Sequence, residues 1–132
     1  MPVIKFNQIK EICIYFRDLE QAKDFYHIRL GLPVIAYIES KHIFFRAGNS
    51  VLLCFNPDDS KTKTNPPGHY TEGKYHFAFE VPGSDYENQK KELIPRGIAV
   101  TQQLKWKNGM ESFYFEDPVG NVLEIVPDGI RH

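Results

Sequence analysis

The sequence has no long apolar segment, almost no net charge and only two cysteines. No apolar run approaches the roughly 20 residues of a membrane-spanning helix, and the N-terminus lacks the apolar core of a signal peptide. Because the net charge is −1 and no basic stripe is present, we expect neither nucleic acid nor a membrane as a partner. Cys13 and Cys54 fall in apolar runs, which predicts buried free thiols and a reducing, cytoplasmic setting.

The sequence does contain the material for one domain with a sizeable core. It has 132 residues, of which 42% are hydrophobic, and this length suits a single compact domain. The most informative stretch is 76–81, which alternates with the period of a strand. Phe77 and Phe79 fall on one face, whereas His76, Ala78 and Glu80 fall on the other. An imidazole beside a small alanine is a candidate metal ligand or base, and a hydrogen-bonded core histidine is the alternative.

An internal repeat predicts an α+β fold of two β-α-β-β-β modules. Each half begins with a strand, at 11–16 or at 76–81, and continues with a helix that ends at Gly31 in the first half and at Pro95 and Gly97 in the second. Three further strand-like runs follow in each half. Asp18 and Ser84 are the predicted helix N-caps. We predict a single domain over residues 1–132, with module 1 over about 9–56, a turn-rich linker over 57–74 and module 2 over about 75–127. The later strands are predicted at 34–40, 41–47, 50–55, 98–104, 111–115 and 121–126.

Each module should cover one sheet face with its helix and leave the other face bare. Two such modules would form a curled mixed sheet around a central trough. Strand alternation assigns these residues to the trough face: Glu11, Cys13, Tyr15, His76, Ala78, Glu80, Val122, Glu124 and Val126.

Three of these trough residues have the chemistry of a metal site. Glu11 and His76 occupy equivalent places in the repeat, and Glu124 lies between two valines in the last strand. A carboxylate in that position needs a partner or a cation. One histidine and two carboxylates suit a divalent metal with open positions for water or substrate. Taken singly, each residue could equally be an exposed or salt-bridged strand residue.

Longer motifs resemble the vicinal oxygen chelate superfamily, which includes glyoxalase I, extradiol dioxygenases, and fosfomycin and bleomycin resistance proteins. The similar segments are Glu11-Ile-x-Ile-x-Phe-x-Asp18, Tyr75-His76-x-Ala-Phe-Glu-Val and Tyr114-Phe-x-Asp117-Pro-x-Gly120-Asn-x-Leu-Glu124. The resemblance runs from about residue 9 to 127. It implies the glyoxalase-like fold and leaves the individual reaction open, because function resides in the site.

The resemblance implies that His76 and Glu124 are metal ligands. Glu11 stands where many relatives have histidine, and it could be a ligand or a general base, so Glu11 and Glu124 are the candidate catalytic residues. Two carboxylates bring the charge of a site with a divalent ion to about zero, which favours Mn²⁺ or Mg²⁺, with Ni²⁺ or Zn²⁺ as alternatives. The expected activity is that of a metal-dependent lyase or isomerase acting on a small oxygen-chelating substrate.

Other functions are compatible with the same motifs. A non-catalytic binder of the bleomycin-resistance type is one alternative, a fosfomycin-resistance-like transferase is another, and a pure interaction module is a third. The resemblance also implies a homodimer. The candidate substrate-binding residues are Cys13, Tyr15, Phe55, Trp106 and Tyr114.

Overall fold

A computed structural model of the chain, which describes residues 4–64 and 67–130, confirms two β-α-β-β-β modules. The chain divides into two compact units, Met1–Thr71 and Glu72–His132. Each unit contains one open, four-stranded mixed sheet. None of the helices in these described ranges has the length and apolar character needed to cross a bilayer.

The first unit has the strand order β1-β4-β3-β2, with β1 parallel to β4 and the other neighbours antiparallel. Helix α1 packs against β3 and β4, and a second helix, α2, lies in the predicted linker. The elements are β1 (Glu11–Tyr15), α1 (Leu19–Lys23), β2 (Val34–Ile38), β3 (His42–Ala47), β4 (Ser50–Phe55) and α2 (Pro57–Ser60).

The second unit repeats this order as β5-β8-β7-β6, with β5 parallel to β8. Its helix α3 contacts β8. Strand β6 begins four residues later than the alternation predicts: its pairing with β7 starts at Gln102, and Thr101 before it makes a single backbone hydrogen bond, to the Tyr114 carbonyl. The elements are β5 (His76–Val81), α3 (Tyr86–Leu93), β6 (Gln102–Lys105), β7 (Glu111–Glu116) and β8 (Val122–Pro127).

The core of each unit lies between its helix and one face of its sheet. Alternation places large apolar residues on that face, and their burial removes apolar area from water. In the first unit they include Ile14, Ile43, Phe45, Leu52 and Cys54; in the second they include Phe113, Phe115, Leu123 and Ile125. Cys54 is buried as predicted, but Cys13 is exposed, since it lies on the opposite face of an edge strand.

The helix starts follow the predicted pattern in the first unit only. The Asp18 carboxylate accepts the Gln21 N–H at 3.1 Å and caps α1, which continues as a π-helical turn over Asp24–Arg29. The predicted cap at Ser84 is wrong. A 3₁₀ turn over Gly83–Asp85 leads directly into α3, and no side-chain cap forms there.

Candidate functional site

His76 and Glu124 form a close pair in the second unit. The His76 Nε2 atom lies 3.3 Å from Glu124 Oε1, and the two side chains are 52% and 1% exposed. His76 opens β5, and Glu124 lies in the neighbouring strand β8, opposite Ala78. The small alanine leaves room beside the carboxylate, so the imidazole closes over Glu124 from the solvent side.

The tautomer of His76 follows from its second hydrogen bond. The Nδ1 atom lies 2.9 Å from the carbonyl oxygen of Val122. A carbonyl can only accept, so Nδ1 carries a hydrogen and Nε2 is the ring nitrogen that faces Glu124. A carboxylate oxygen and an Nε2 atom at 3.3 Å attract each other when a proton or a cation lies between them. A histidine whose far nitrogen donates to a backbone carbonyl is the usual arrangement around a metal ligand.

A buried turn fixes the register that creates this pair. The Asp117 carboxylate accepts hydrogen bonds from the N–H groups of Val119 and Asn121 and, at 2.7 Å, from the Asn121 side-chain amide. The Asn121 amide oxygen accepts the Tyr75 N–H at 2.9 Å, and the Val122 N–H donates to the Tyr75 carbonyl at 2.7 Å. The turn therefore aligns the starts of β5 and β8, where His76 meets Val122.

Tyr114 and Trp106 lie near His76 and Glu124 in the second unit. Tyr114 pairs with Glu124 in the β7–β8 register, and its ring centroid lies 6.0 Å from that of His76. The Trp106 indole N–H donates to the Ser112 hydroxyl at 3.0 Å, and Ser112 lies two residues before Tyr114 on the same face. Both aromatic residues predicted to bind substrate here therefore lie on, or bond to, the face that carries Glu124.

Glu11 and Cys13 lie in the first unit. Both are exposed and share one face of β1. Partial desolvation of the thiol, together with the nearby Glu11 carboxylate, raises the pKa of Cys13, so this thiol is protonated at neutral pH. Within neither unit do three His, Cys, Asp or Glu side chains of the described residues gather as they would around a metal ion. His76 and Glu124 are a pair, and Glu11 as their third partner remains a prediction.

Tyr15 and Phe55 belong to an aromatic cluster that the strand pattern only partly predicts. They are opposite each other in the β1–β4 register, and both contact His69. The Tyr15 hydroxyl lies 2.8 Å from His69 Nδ1, and the Phe55 and His69 rings meet edge to face at 4.5 Å. Tyr70 packs against Tyr15 at 5.5 Å.

Sequence reasoning missed the linker's contribution to this cluster. His69 is held in place by two hydrogen bonds with Ser60, the last residue of the short helix α2. The adjacent pair His69-Tyr70, the only aromatic residues within a polar linker of residues 57–74, was the signal that could have revealed it. His42 was also missed; it stacks on Phe44 at 4.1 Å, and its buried Nδ1 has no hydrogen-bond partner among the described residues.

Comparisons with known proteins agree with this architecture. A sequence model of the Glyoxalase/Bleomycin resistance protein/Dioxygenase superfamily matches residues 8–125. No curated protein sequence matches the chain. Among solved structures, a lactoylglutathione lyase from Agrobacterium tumefaciens is 30% identical, with a TM-score of 0.88 over 96% of this chain and 98% of that one.

Two more distant structures share the fold alone. A glyoxalase/bleomycin resistance protein/dioxygenase from Nocardioides is 19% identical, with a TM-score of 0.75 over 96% of this chain and 88% of that one. A protein of the same description from Alicyclobacillus acidocaldarius is 23% identical, with a TM-score of 0.66 over 92% and 91% of the two chains.

Proposed function

Because the chain belongs to the Glyoxalase/Bleomycin resistance protein/Dioxygenase superfamily, we propose that it is a divalent-metal-dependent lyase or isomerase of the glyoxalase type. Its substrate is a small molecule with neighbouring oxygen atoms. The similar lactoylglutathione lyase makes S-lactoylglutathione the first substrate to test. We further propose a cytoplasmic homodimer.

The observation that carries the proposal is the His76 Nε2 atom, 3.3 Å from the buried Glu124 carboxylate. This pair offers one nitrogen and one oxygen to a cation, and the Val122 carbonyl holds the ring so that Nε2 faces inward. When bound, the metal supplies a Lewis acid that stabilises negative charge developing on substrate oxygen. Glu11 is the proposed third ligand.

Glu11 has a second possible task in the same proposal. As an exposed carboxylate without an ion pair among the described residues, it is free to accept a proton from a carbon next to a carbonyl. Tyr114 beside His76 and Tyr15 in the first unit would orient the substrate through their hydroxyl groups. These roles assign proton transfer and positioning to residues of the chain itself.

Metal analysis tests the proposal directly. Protein purified without chelators and loaded with Mn²⁺, Mg²⁺, Ni²⁺ or Zn²⁺ should hold about one ion per chain, and His76→Ala should hold none. His27→Ala is the matched control. His27 Nδ1 also bonds a backbone carbonyl, that of Leu32 at 2.7 Å, but no carboxylate of residues 4–64 or 67–130 forms an ion pair with this ring. Wild-type protein that binds none of the four ions would contradict the proposal.

A non-catalytic binding protein is the second candidate, and the aromatic cluster of Tyr15, Phe55, His69 and Tyr70 favours it. Edge-to-face rings present a surface suited to a flat, apolar ligand. Under this alternative, bleomycin should bind the metal-free protein with unchanged affinity in His76→Ala and reduced affinity in Tyr15→Ala. Thiol transfer to fosfomycin, assayed in parallel, distinguishes the transferase alternative, and gel filtration tests the homodimer.

A further inference from the structure

A polar groove in the first unit lies outside the residues used so far. It has a volume of about 560 Å³ and is lined by Asn7, Gln8, Lys10, Arg46 and Asn49. Two lining residues are cationic, three carry side-chain amides, and none is acidic. The groove is therefore rich in hydrogen-bond donors and positive charge.

The groove is built where the N-terminal segment crosses the β3–β4 turn. Gln8 Nε2 and Lys10 Nζ both donate to the Asn49 carbonyl at 2.8 Å. The Val51 N–H donates to the Lys10 carbonyl at 2.8 Å, and the Ser50 hydroxyl donates to the Ile9 carbonyl at 3.0 Å. These bonds hold Lys10 against the turn, and strand β3 places Arg46 just before the same turn.

Arg46 is the unusual member of this groove. It lies in β3 and is half-buried, and across the described ranges no acidic side chain forms an ion pair with it or with Lys10. Removing a guanidinium from water without a counter-charge is unfavourable. A planar fork of N–H donors beside a lysine is the usual combination for holding a carboxylate or phosphate group.

We propose that this groove is a binding site for a small molecule that carries a carboxylate or phosphate group. Arg46 supplies two parallel hydrogen bonds, Lys10 supplies a point charge, and the amides of Asn7, Gln8 and Asn49 supply further donors. The proposal does not depend on the His76–Glu124 pair, which lies in the other unit.

The cross-strand register also predicts how Glu11 affects anion binding in this groove. Arg46 and Glu11 both pair with Val51, from opposite sides, so the three residues form one row on one face. Two strand spacings separate the Cα atoms of Glu11 and Arg46, which is about 10 Å. At that separation the Glu11 carboxylate weakly opposes anion binding, so Glu11→Gln should strengthen it.

A titration of the metal-free, full-length chain followed by ¹H–¹⁵N NMR tests the site. Malonate is the carboxylate probe and inorganic phosphate the phosphate probe. We expect saturable shifts at the amides of Gln8, Arg46 and Asn49 with at least one probe, and the tighter probe identifies the group. Arg46→Gln should weaken that binding about tenfold or more, whereas His76→Ala should leave it unchanged.

Two further variants keep the test decisive. Lys41→Gln removes an exposed cation at the opposite end of the same strand pair and should bind like the wild type. Arg46→Lys keeps the positive charge but loses the planar guanidinium donors, so its affinity for the probe should be intermediate. This variant replaces Arg46→Gln in the test if Arg46→Gln does not fold. Absence of saturable binding by both probes, or equal affinity in the wild type and the folded Arg46 variants, would overturn the proposal.

Discussion

At the scale of single residues, the Glu111 carboxylate is bound by two side chains of helix α3. Its Oε2 atom accepts hydrogen bonds from Lys90 Nζ and the Tyr86 hydroxyl, each at 2.9 Å. The Lys90 and Glu111 side chains are only 18% and 23% exposed. This ion pair fastens α3 to β7 and is therefore worth more than a surface salt bridge.

The pairing predicts how stability depends on pH. Lys90, and then Tyr86, hold the pKa of Glu111 below its usual value of 4.5, despite some desolvation. A carboxylate whose pKa is lower in the folded state stabilises the fold above its unfolded pKa, and this contribution is lost as the pH falls through the folded value. We expect Glu111→Gln to cost about 1–2 kcal/mol of unfolding free energy at pH 7.

Urea unfolding of the two proteins at several pH values checks this. The difference between wild type and Glu111→Gln should be constant from pH 6 to 8 and should shrink steadily below about pH 4.5. Glu92→Gln, which removes an exposed i,i+4 pair with Arg96, is the control and should change stability by less than about 0.5 kcal/mol. A Glu111→Gln difference that does not vary with pH would refute the assignment.

At the scale of elements, the first helix ends in an unusual way. The π-helical turn Asp24–Arg29 is followed by Gly31 with φ of +82°, and the Gly31 N–H donates to the His27 carbonyl at 3.0 Å. A Cβ added at Gly31 would meet nothing within 4 Å. Any cost of substitution there therefore comes from the backbone conformation alone.

Gly31→Ala should accordingly destabilise the protein by about 1 kcal/mol, measurable as a lower urea midpoint with an unchanged slope. Gly31→Asn should cost less, because asparagine tolerates positive φ. Equal losses in the two variants would show that the left-handed conformation is not what the glycine provides.

The Asp117–Asn121 turn gives the third prediction. Asn121 is 1% exposed and bridges the Asp117 carboxylate and the Tyr75 N–H. Asn121→Ala leaves both groups without that partner, so we expect a loss of about 2–4 kcal/mol. We also expect weaker metal binding, because the register that places His76 against Val122 loosens. Ser84→Ala, whose predicted cap does not form, should have little effect on either quantity; wild-type metal affinity in a folded Asn121→Ala protein would contradict the positioning role.

The elements also show what can be predicted from sequence. Alternation predicted seven of the eight strands to within about two residues, because large apolar side chains recur along them with the two-residue period of a strand. The same rule placed His76 and Glu124 on one face. It could not place His69 or Arg46 in sites, since His69 reaches its cluster through a turn-rich linker, and the Arg46 groove depends on contacts 39 and 41 residues apart.

At the scale of the whole molecule, the proposed metal ion should raise the free energy of unfolding. A ligand that binds only the folded state stabilises it by RT ln(1 + [L]/Kd), about 2.7 kcal/mol at one hundred times Kd. Wild type should gain this increment from its preferred ion, and His76→Ala should gain none. If Glu11 is the third ligand, Glu11→Ala should also lose most of the increment, although Glu11 and His76 belong to different units.

Glu80→Ala is the matched control for that experiment. Glu80 is exposed and shares the face of β5 that carries His76, but we do not propose it as a metal ligand. Glu80→Ala should therefore gain the same free energy of unfolding from the metal as the wild type. Thermal unfolding with and without metal measures all four proteins under one set of conditions. A full increment in Glu11→Ala would confine the ion to the second unit and would remove Glu11 from the ligands, leaving the general-base role as its remaining function.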